Sequence, residues 1–258
     1  MNKHFLLFVN IWVWGLVLSG CTTVKYPDDK LYAEYAKAIR RGDLEYVIDF
    51  VKQYKKYALN DIYILGQHYN PLDVAVVSDS NEIVEFLLAE GADPDVTSPT
   101  FKEPLIFGVV RQKKVRALQL FIKYGALVDV HGVNGVSLLE IAASTGSLEM
   151  VEMIVEKTNN INATSDEGRN ALFGAVYSNN CEIIEFLVRK GIEINKETID
   201  GMLTPLLFAV SLQNVAAAEK LIELGADITI MNNEGYDAKR LANKLGLSIR
   251  GLNTSTSN

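Results

Sequence analysis

The groups in this 258-residue chain best equipped for chemistry are three histidines, two cysteines and several adjacent carboxylates. Catalysis or metal binding needs such groups to converge: zinc asks for three or four ligands, and a nucleophile needs a base within hydrogen-bond reach. His68 and His131 have no Cys, Asp or Glu at metal-ligand spacing on the same helix face. Asp28-Asp29 and Asp166-Glu167 could do acid–base work only in a cleft that shifts a pKa; on a turn or tether they are solvated charges. Thr145-Gly146-Ser147 and the stretch Gly132 to Gly135 lack the strand-to-helix setting of a nucleophile elbow or phosphate cradle. Cys181 reads as a lone, partly buried thiol. These residues imply no enzyme and no cofactor, metal included.

Cys21 stands in a different setting. Ahead of it runs MNKHFLLFVNIWVWGLVLSG, with Lys3 as a short positive region and Phe5 to Leu18 apolar apart from Asn10 and Gly15. Fourteen residues at about 1.5 Å each give a helix of roughly 21 Å, short of the roughly 30 Å hydrocarbon core of a bilayer. That length suits a signal peptide better than a membrane span. Leu18-Ser19-Gly20-Cys21 resembles the bacterial lipobox. The resemblance implies cleavage before Cys21, acylation of its thiol and new amine, and stable anchoring through two or more acyl chains. Thr22 stands where Asp would retain a Gram-negative lipoprotein at the inner membrane, so the resemblance implies an outer-membrane anchor with the globular part facing the periplasm.

The elements behind Cys21 follow from an internal period, the first thing to seek in any chain. Pro71-Leu72, Pro104-Leu105, Leu138-Leu139, Ala171-Leu172 and Pro205-Leu206 recur every 33 or 34 residues, and Gly91, Gly125, Thr158, Gly191 and Gly225 repeat at the same period. Within each unit the apolar residues fall on helix faces, as in Ile83, Val84, Phe86, Leu87, Leu88 and again in Ile183, Ile184, Phe186, Leu187, Val188. Pro at a first helical position and Gly just past a helix end are the expected punctuation. Small residues at Ala75, Gly108, Ala142, Ala175 and Ala209 let neighbouring helices approach.

Thr204-Pro205-Leu206, Gly91-Ala92-Asp93, Gly225-Ala226-Asp227 and Ala142-Ala143-Ser144-Thr145-Gly146 resemble the ankyrin repeat. The resemblance implies an all-α solenoid of stacked helix pairs joined by finger-like turns. It covers residues 31–246: an N-terminal cap at 31–66, five repeats at 67–232 and a C-terminal half-repeat at 233–246. Residues 1–20 are the signal peptide, 21–30 a lipidated tether, and 247–258 a tail without repeat pattern, disordered from Asn253. Departures are visible. Repeat three has Thr158-Asn159-Asn160 for Gly-Ala-Asp, and repeat two carries an extra residue before Gly125. The family's usual His is replaced by Asp73, Ile106, Glu140, Phe173 and Leu207.

Ankyrin stacks act as binding scaffolds, and the resemblance places the contact surface on the finger tips and the exposed side of each first helix. The positions so marked include Thr100, Lys102, Arg111, Asn134, Asp166, Glu167, Arg169, Tyr177, Ser178, Leu212 and Tyr236. Eight of eleven tyrosines, Tyr26, Tyr32, Tyr35, Tyr46, Tyr54, Tyr57, Tyr63 and Tyr69, lie in the first seventy residues; they are either interface residues or the cover of the stack end. The formal net charge of −7 excludes nucleic acid as the main partner, since phosphate binding needs clustered Lys and Arg. A protein partner is expected, with membrane contact through the lipid anchor alone and a monomer when free. Lipobox plus ankyrin stack is similar to the immunity lipoproteins that occlude type VI secretion phospholipase effectors. The alternative is an ankyrin scaffold or stabiliser of a periplasmic envelope enzyme.

Overall fold

The computed structural model describes residues 27–59, 62–64, 67–99 and 102–252. Cys21, Tyr26, Thr100 and Asn253 to Asn258, all singled out above, lie outside the described residues. The chain begins with the pair α1 (Asp29–Arg41) and α2 (Leu44–Ala58), followed by a hairpin of β1 (Ile62–Ile64) and β2 (Gln67–Tyr69). Five helix pairs come next: α3 (Pro71–Val77) with α4 (Asn81–Ala89), α5 (Leu105–Arg111) with α6 (Val115–Lys123), α7 (Leu138–Thr145) with α8 (Leu148–Val155), α9 (Ala171–Tyr177) with α10 (Cys181–Arg189), and α11 (Pro205–Ser211) with α12 (Val215–Glu223). A single helix, α13 (Ala238–Leu245), closes the stack. The antiparallel hairpin, with Ile62 opposite Tyr69, departs from an all-helical reading and fills the long connection before the first repeat. Both neighbours of each inner pair are helix pairs of the same kind, so the buried side chains form one continuous core along the stack.

Local chemistry sets the helix ends. Asn70, Ser137, Asn170, Thr204 and Asp237 each cap a first helix by accepting from backbone N–H groups of its opening turn. Pro71 and Pro205 occupy first helical positions, where a missing N–H costs nothing. Pro104 does not. It is the N-cap of α5 and bridges back to Thr97, so Leu105, not Pro104, is equivalent to Pro71. This shift of one places the extra residue of repeat two in the finger ahead of α5. It also makes Phe107, rather than Ile106, the counterpart of Asp73, Glu140, Phe173 and Leu207.

The second helices α4, α6, α10 and α12 are followed by Gly91, Gly125, Gly191 and Gly225, with φ between 89° and 100°. The left-handed residue lets the next N–H groups bond back into the last turn, as Ala92 N does to the Leu87 carbonyl at 2.9 Å. Repeat three lacks this glycine. Its α8 ends with the Thr158 N–H bonded to the Ile154 carbonyl at 2.9 Å, and the Thr158 hydroxyl is tied to Asp129.

Adjacent repeats are stitched by a side-chain ladder along the loops. Asp95 accepts from Leu127 N at 2.8 Å, Asp129 from Asn159 N at 2.9 Å, Asn162 from Glu193 N at 2.7 Å and Asn195 from Asp227 N at 2.9 Å. Each acceptor belongs to one repeat and each donor to the next. Isolated stack units have too little buried surface to stand alone, and bonds of this kind fix their register.

The two ends are built differently from the repeats. At the N-terminal end Tyr35 stacks on Phe50 at 4.0 Å between ring centroids, with Tyr32, Tyr46 and Tyr54 around the same ring. The Tyr35 hydroxyl donates to the Ala58 carbonyl at 2.9 Å. These four tyrosines cover the end of the stack. Asp28, expected on the tether, caps α1 by accepting from Leu31 N at 2.8 Å. At the other end residues 247–252, read from sequence as the start of the tail, stay on the body: Ile249 and Leu252 are buried, and Arg250 N donates to Glu219 at 3.0 Å.

Candidate binding site on the finger side

The fingers of the last units are tied edge to edge by their own backbone. Asp166 N donates to the Asn134 carbonyl at 3.0 Å and Ile199 N to the Glu167 carbonyl at 2.9 Å. Asn134 adopts φ 59°, a conformation Asn tolerates better than most residues. Gly135 is needed beside it, because a Cβ there would fall 2.2 Å from Asp166 Oδ1 and 2.9 Å from its backbone N. The result is a continuous row of finger tips presenting Asn134, Asp166 and Glu167 to solvent.

Behind that row lies a pocket of about 230 Å³, lined by Glu140 and Ser144 of α7, Arg169 of the finger, Phe173, Gly174 and Tyr177 of α9, and Phe208 of α11. Glu140 is its most unusual member, with a side chain only 8% exposed. One carboxylate oxygen, Oε1, lies 3.5 Å from Arg169 Nε; the other, Oε2, is buried with no hydrogen-bond donor. Arg169 also reaches Glu167 at 3.2 Å through Nη1, and its buried Nε has no hydrogen-bond acceptor. Burial pushes the Glu140 pKa up to about 7; the Arg169 guanidinium opposes the shift and the Glu167 charge adds to it. A carboxyl in this state is poised to change charge near neutrality and retains an unmet capacity to accept.

The pocket has aromatic walls. Phe173 and Phe208 meet at 5.5 Å between centroids, and Tyr177 is 68% exposed at the mouth. Leu212, at the end of α11, and Ile199, on the next finger, are further exposed apolar groups. An aromatic and apolar surface with a few buried polar groups matches the anatomy of protein-binding interfaces.

The sequence-marked residues divide between this site and elsewhere. Arg169 and Tyr177 line the pocket, and Glu167 joins it through Arg169. Arg111 lies one repeat earlier, paired with Glu103 at 3.3 Å, while Lys102 is exposed on the finger before it. Ser178 does not present its hydroxyl: the group donates to the Ala143 carbonyl at 2.9 Å and holds α9 to α7. Tyr236 is partly covered by Lys244, whose Nζ stands 4.2 Å from the ring centroid. Sequence reading marked no binding role for Glu140, Phe173, Gly174 or Phe208. The available signal was an acid at the interior position where the family keeps a histidine. Asp73 repeats the substitution, with Ser98 Oγ of the next finger donating to it at 3.1 Å; burial raises its pKa and the Ser98 bond works against the rise.

Cys181 is a free, partly buried thiol whose pKa is raised by burial, with Lys220 opposing. Among the described residues no group of three or more His, Cys, Asp and Glu side chains could hold a metal ion. None of the described helices is long and apolar enough to cross a membrane.

Comparison with known proteins matches these elements. A family model of three ankyrin repeats covers residues 106–198, and a single-repeat model covers 67–99. The RelA-associated inhibitor of Mus musculus is 34% identical over 96 residues, which make up 37% of this chain and 12% of that protein. The nuclear factor NF-kappa-B p105 subunit of Gallus gallus is 27% identical over 180 residues, 68% of this chain and 18% of the relative. The chain thus spans less than a fifth of either relative. The crystal structure of the ankyrin repeat domain of Bcl-3 superposes with a TM-score of 0.70 at 22% identity, covering 80% of this chain and 92% of that one. Stacked helix pairs, tied fingers and matched repeats together identify residues 67–99 and 106–198 as ankyrin repeats within an ankyrin-type stack.

Proposed function

We propose that the chain is a non-catalytic, lipid-anchored binding protein, held through Cys21 at the outer membrane and facing the periplasm, whose finger-side face occludes a type VI secretion phospholipase effector. The observation that carries the binding role is the pocket at Glu140, Arg169 and Tyr177, flanked by exposed Leu212 and Ile199. Supporting the anchor is the run Leu18-Ser19-Gly20-Cys21 behind an apolar segment too short to span. An ankyrin stack behind a lipobox supports the immunity reading, and the chain's net charge of −7 would steer it to a basic partner surface.

The test asks whether a phospholipase effector is encoded beside this chain, whose absence counts against the immunity reading, and mixes that effector with the full-length chain in detergent. Binding at or below about 1 µM, on the scale of a specific interface, together with loss of lipase activity is expected. No binding at that concentration overturns the immunity reading, and binding without inhibition favours a scaffold or stabiliser. Cys21→Ala is expected to release the protein from membranes; unchanged retention overturns the lipid anchor.

A further inference from the structure

We propose that the pocket between α7, α9 and α11 is an anchor subsite that takes one lysine or arginine side chain of the protein partner. This rests on the protein-binding reading and adds the chemistry of the contact.

Three observations point to a cation with an alkyl stem. First, Glu140 Oε2 is buried and has no donor. A buried acceptor left so is destabilised unless something supplies a proton donor. Second, the charge around the pocket is unbalanced. Glu140 and Glu167 share a single guanidinium, that of Arg169, and the sequences of α9 and α11 contain no charged residue. Arg111 on the α5 side is already paired with Glu103. Third, Phe173, Tyr177 and Phe208 line the same pocket as Glu140. Aromatic faces attract a cation and also cover the methylene stem behind it.

Size and position agree with a single side chain. About 230 Å³ is below the roughly 300–1,000 Å³ of sites that hold a drug-sized molecule. Gly174 lets α9 close against α7 beside the pocket, since a Cβ there would fall 2.3 Å from the Glu140 carbonyl oxygen, and the exposed Tyr177 stands in its lining. On entry of a cation, Arg169 keeps the Glu167 contact it already makes at 3.2 Å, and Glu140 passes to the new partner. Partner anchors of this type, a long side chain seated in a small pocket at the centre of a face, dominate interface energetics.

The experiment titrates full-length protein in detergent micelles with N-acetyl-lysine N-methylamide and N-acetyl-arginine N-methylamide. Their uncharged norleucine and citrulline counterparts serve as controls, and binding is read by saturation-transfer NMR. The charged probes are expected to bind at least about fivefold tighter than the neutral ones, the scale of one desolvated cation–aromatic contact. Glu140→Gln and the surface change Tyr177→Ala are each expected to weaken the charged probes by about fivefold, whereas Glu45→Gln, at an exposed carboxyl on α2, leaves them unchanged. Equal binding of charged and neutral probes, no binding of either, or wild-type affinity in both Glu140→Gln and Tyr177→Ala would overturn the subsite. Capture and inhibition of the whole effector by the same variants is measured separately, so the subsite can fail while the binding function stands, and the reverse.

Discussion

Gly174 on α9 lies directly against Glu140 on α7: a Cβ at Gly174 would fall 2.3 Å from the Glu140 carbonyl oxygen and 3.0 Å from Ser144 N. The obstacle is backbone, so no side-chain rotation relieves it. Gly174→Ala is therefore expected to push α7 and α9 apart and destabilise the fold by about 2 kcal/mol, in the range for overpacked cores. Gly191→Ala is the control. Its φ is 89° and nothing lies within 4 Å of the added carbon, so it carries only the left-handed backbone cost of about 1–2 kcal/mol. Denaturant unfolding measures both, and the lysine probe separates them: binding is lost in Gly174→Ala and kept in Gly191→Ala.

The Glu140–Arg169 contact looks like a stabilising ion pair, yet the balance runs the other way. Burial outweighs the attraction of Arg169, and the Glu140 pKa stands at about 7 in the folded chain against 4.5 for the free side chain. A carboxyl raised on folding binds its proton more tightly in the native state. Its contribution is thus fully present below about pH 4.5 and is lost as the pH rises through 7. The charged groups on the fingers and first helices around it are Arg169, Glu167 and Asp166, with Arg111 and Glu103 on the α5 side. Glu140→Gln is expected to raise stability at pH 8 by about 1–3 kcal/mol and to change it little at pH 4.5, by the rule of 1.36 kcal/mol per pKa unit. Urea unfolding at the two pH values decides it; a loss of stability at pH 8 would show the pair to be a net structural bond.

Asp129 carries more of the inter-repeat ladder than its counterparts. It receives the Thr158 hydroxyl, the Asn159 N–H at 2.9 Å and the Asn159 side-chain amide at 3.2 Å. Burial opposes its ionisation, but these donors and His131 outweigh that and hold its pKa below the usual value. This is the depressed case: its stabilisation is present above the ordinary carboxylate range and fades as the pH falls through it. Asp129→Ala is expected to cost about 1–2 kcal/mol at neutral pH by leaving these donors unpaired. Asp129→Asn is expected to cost less than half of that, because Asn162 and Asn195 perform the same backbone contact. Thermal unfolding at neutral pH and at about pH 3 checks both magnitude and sign.

The repeat period, the helix pairs and the glycines that end α4, α6, α10 and α12 were legible because each is a local pattern that recurs. The one-residue shift at Pro104 was not, since proline serves at both the N-cap and the first helical position and only the bridge to Thr97 separates them. Ser178 was marked as exposed because position along a helix does not tell which way a hydroxyl turns; here it bonds across to α7. Residues 247–252 carry no repeat signature, and Ile249 and Leu252 are too few to announce a packed segment before their site on α12 is known. Glu140 was visible as a departure from the family pattern, but its meaning depends on Gly174, Phe208 and Arg169, which come together only in the stack.

The turns that end the first helix of each unit contain a series the repeat motifs did not reveal. Gly42, Asp79, Lys113, Gly146, Asn179, Gln213 and Gly246 occupy the same place and all have positive φ, from 50° to 76°. Glycine takes this conformation freely, whereas side-chain-bearing residues other than Asn and Asp lose roughly 1–2 kcal/mol in it. Part of that is returned because glycine makes the unfolded chain more flexible, by roughly 0.5–1 kcal/mol. Lys113→Gly and Gln213→Gly, at exposed positions, are therefore each expected to stabilise by about 0.5–1 kcal/mol. Asn179→Gly is expected to change little, and Asp79→Gly to gain less than Lys113→Gly because Asp79 also pairs with Lys114 at 3.0 Å. The reverse change, Gly146→Ala, meets no crowding closer than 3.6 Å and is expected to lose about 1 kcal/mol through backbone strain alone. Urea midpoints across these five variants test the ordering, and a destabilised Lys113→Gly would show that its side chain, not its backbone, decides that turn.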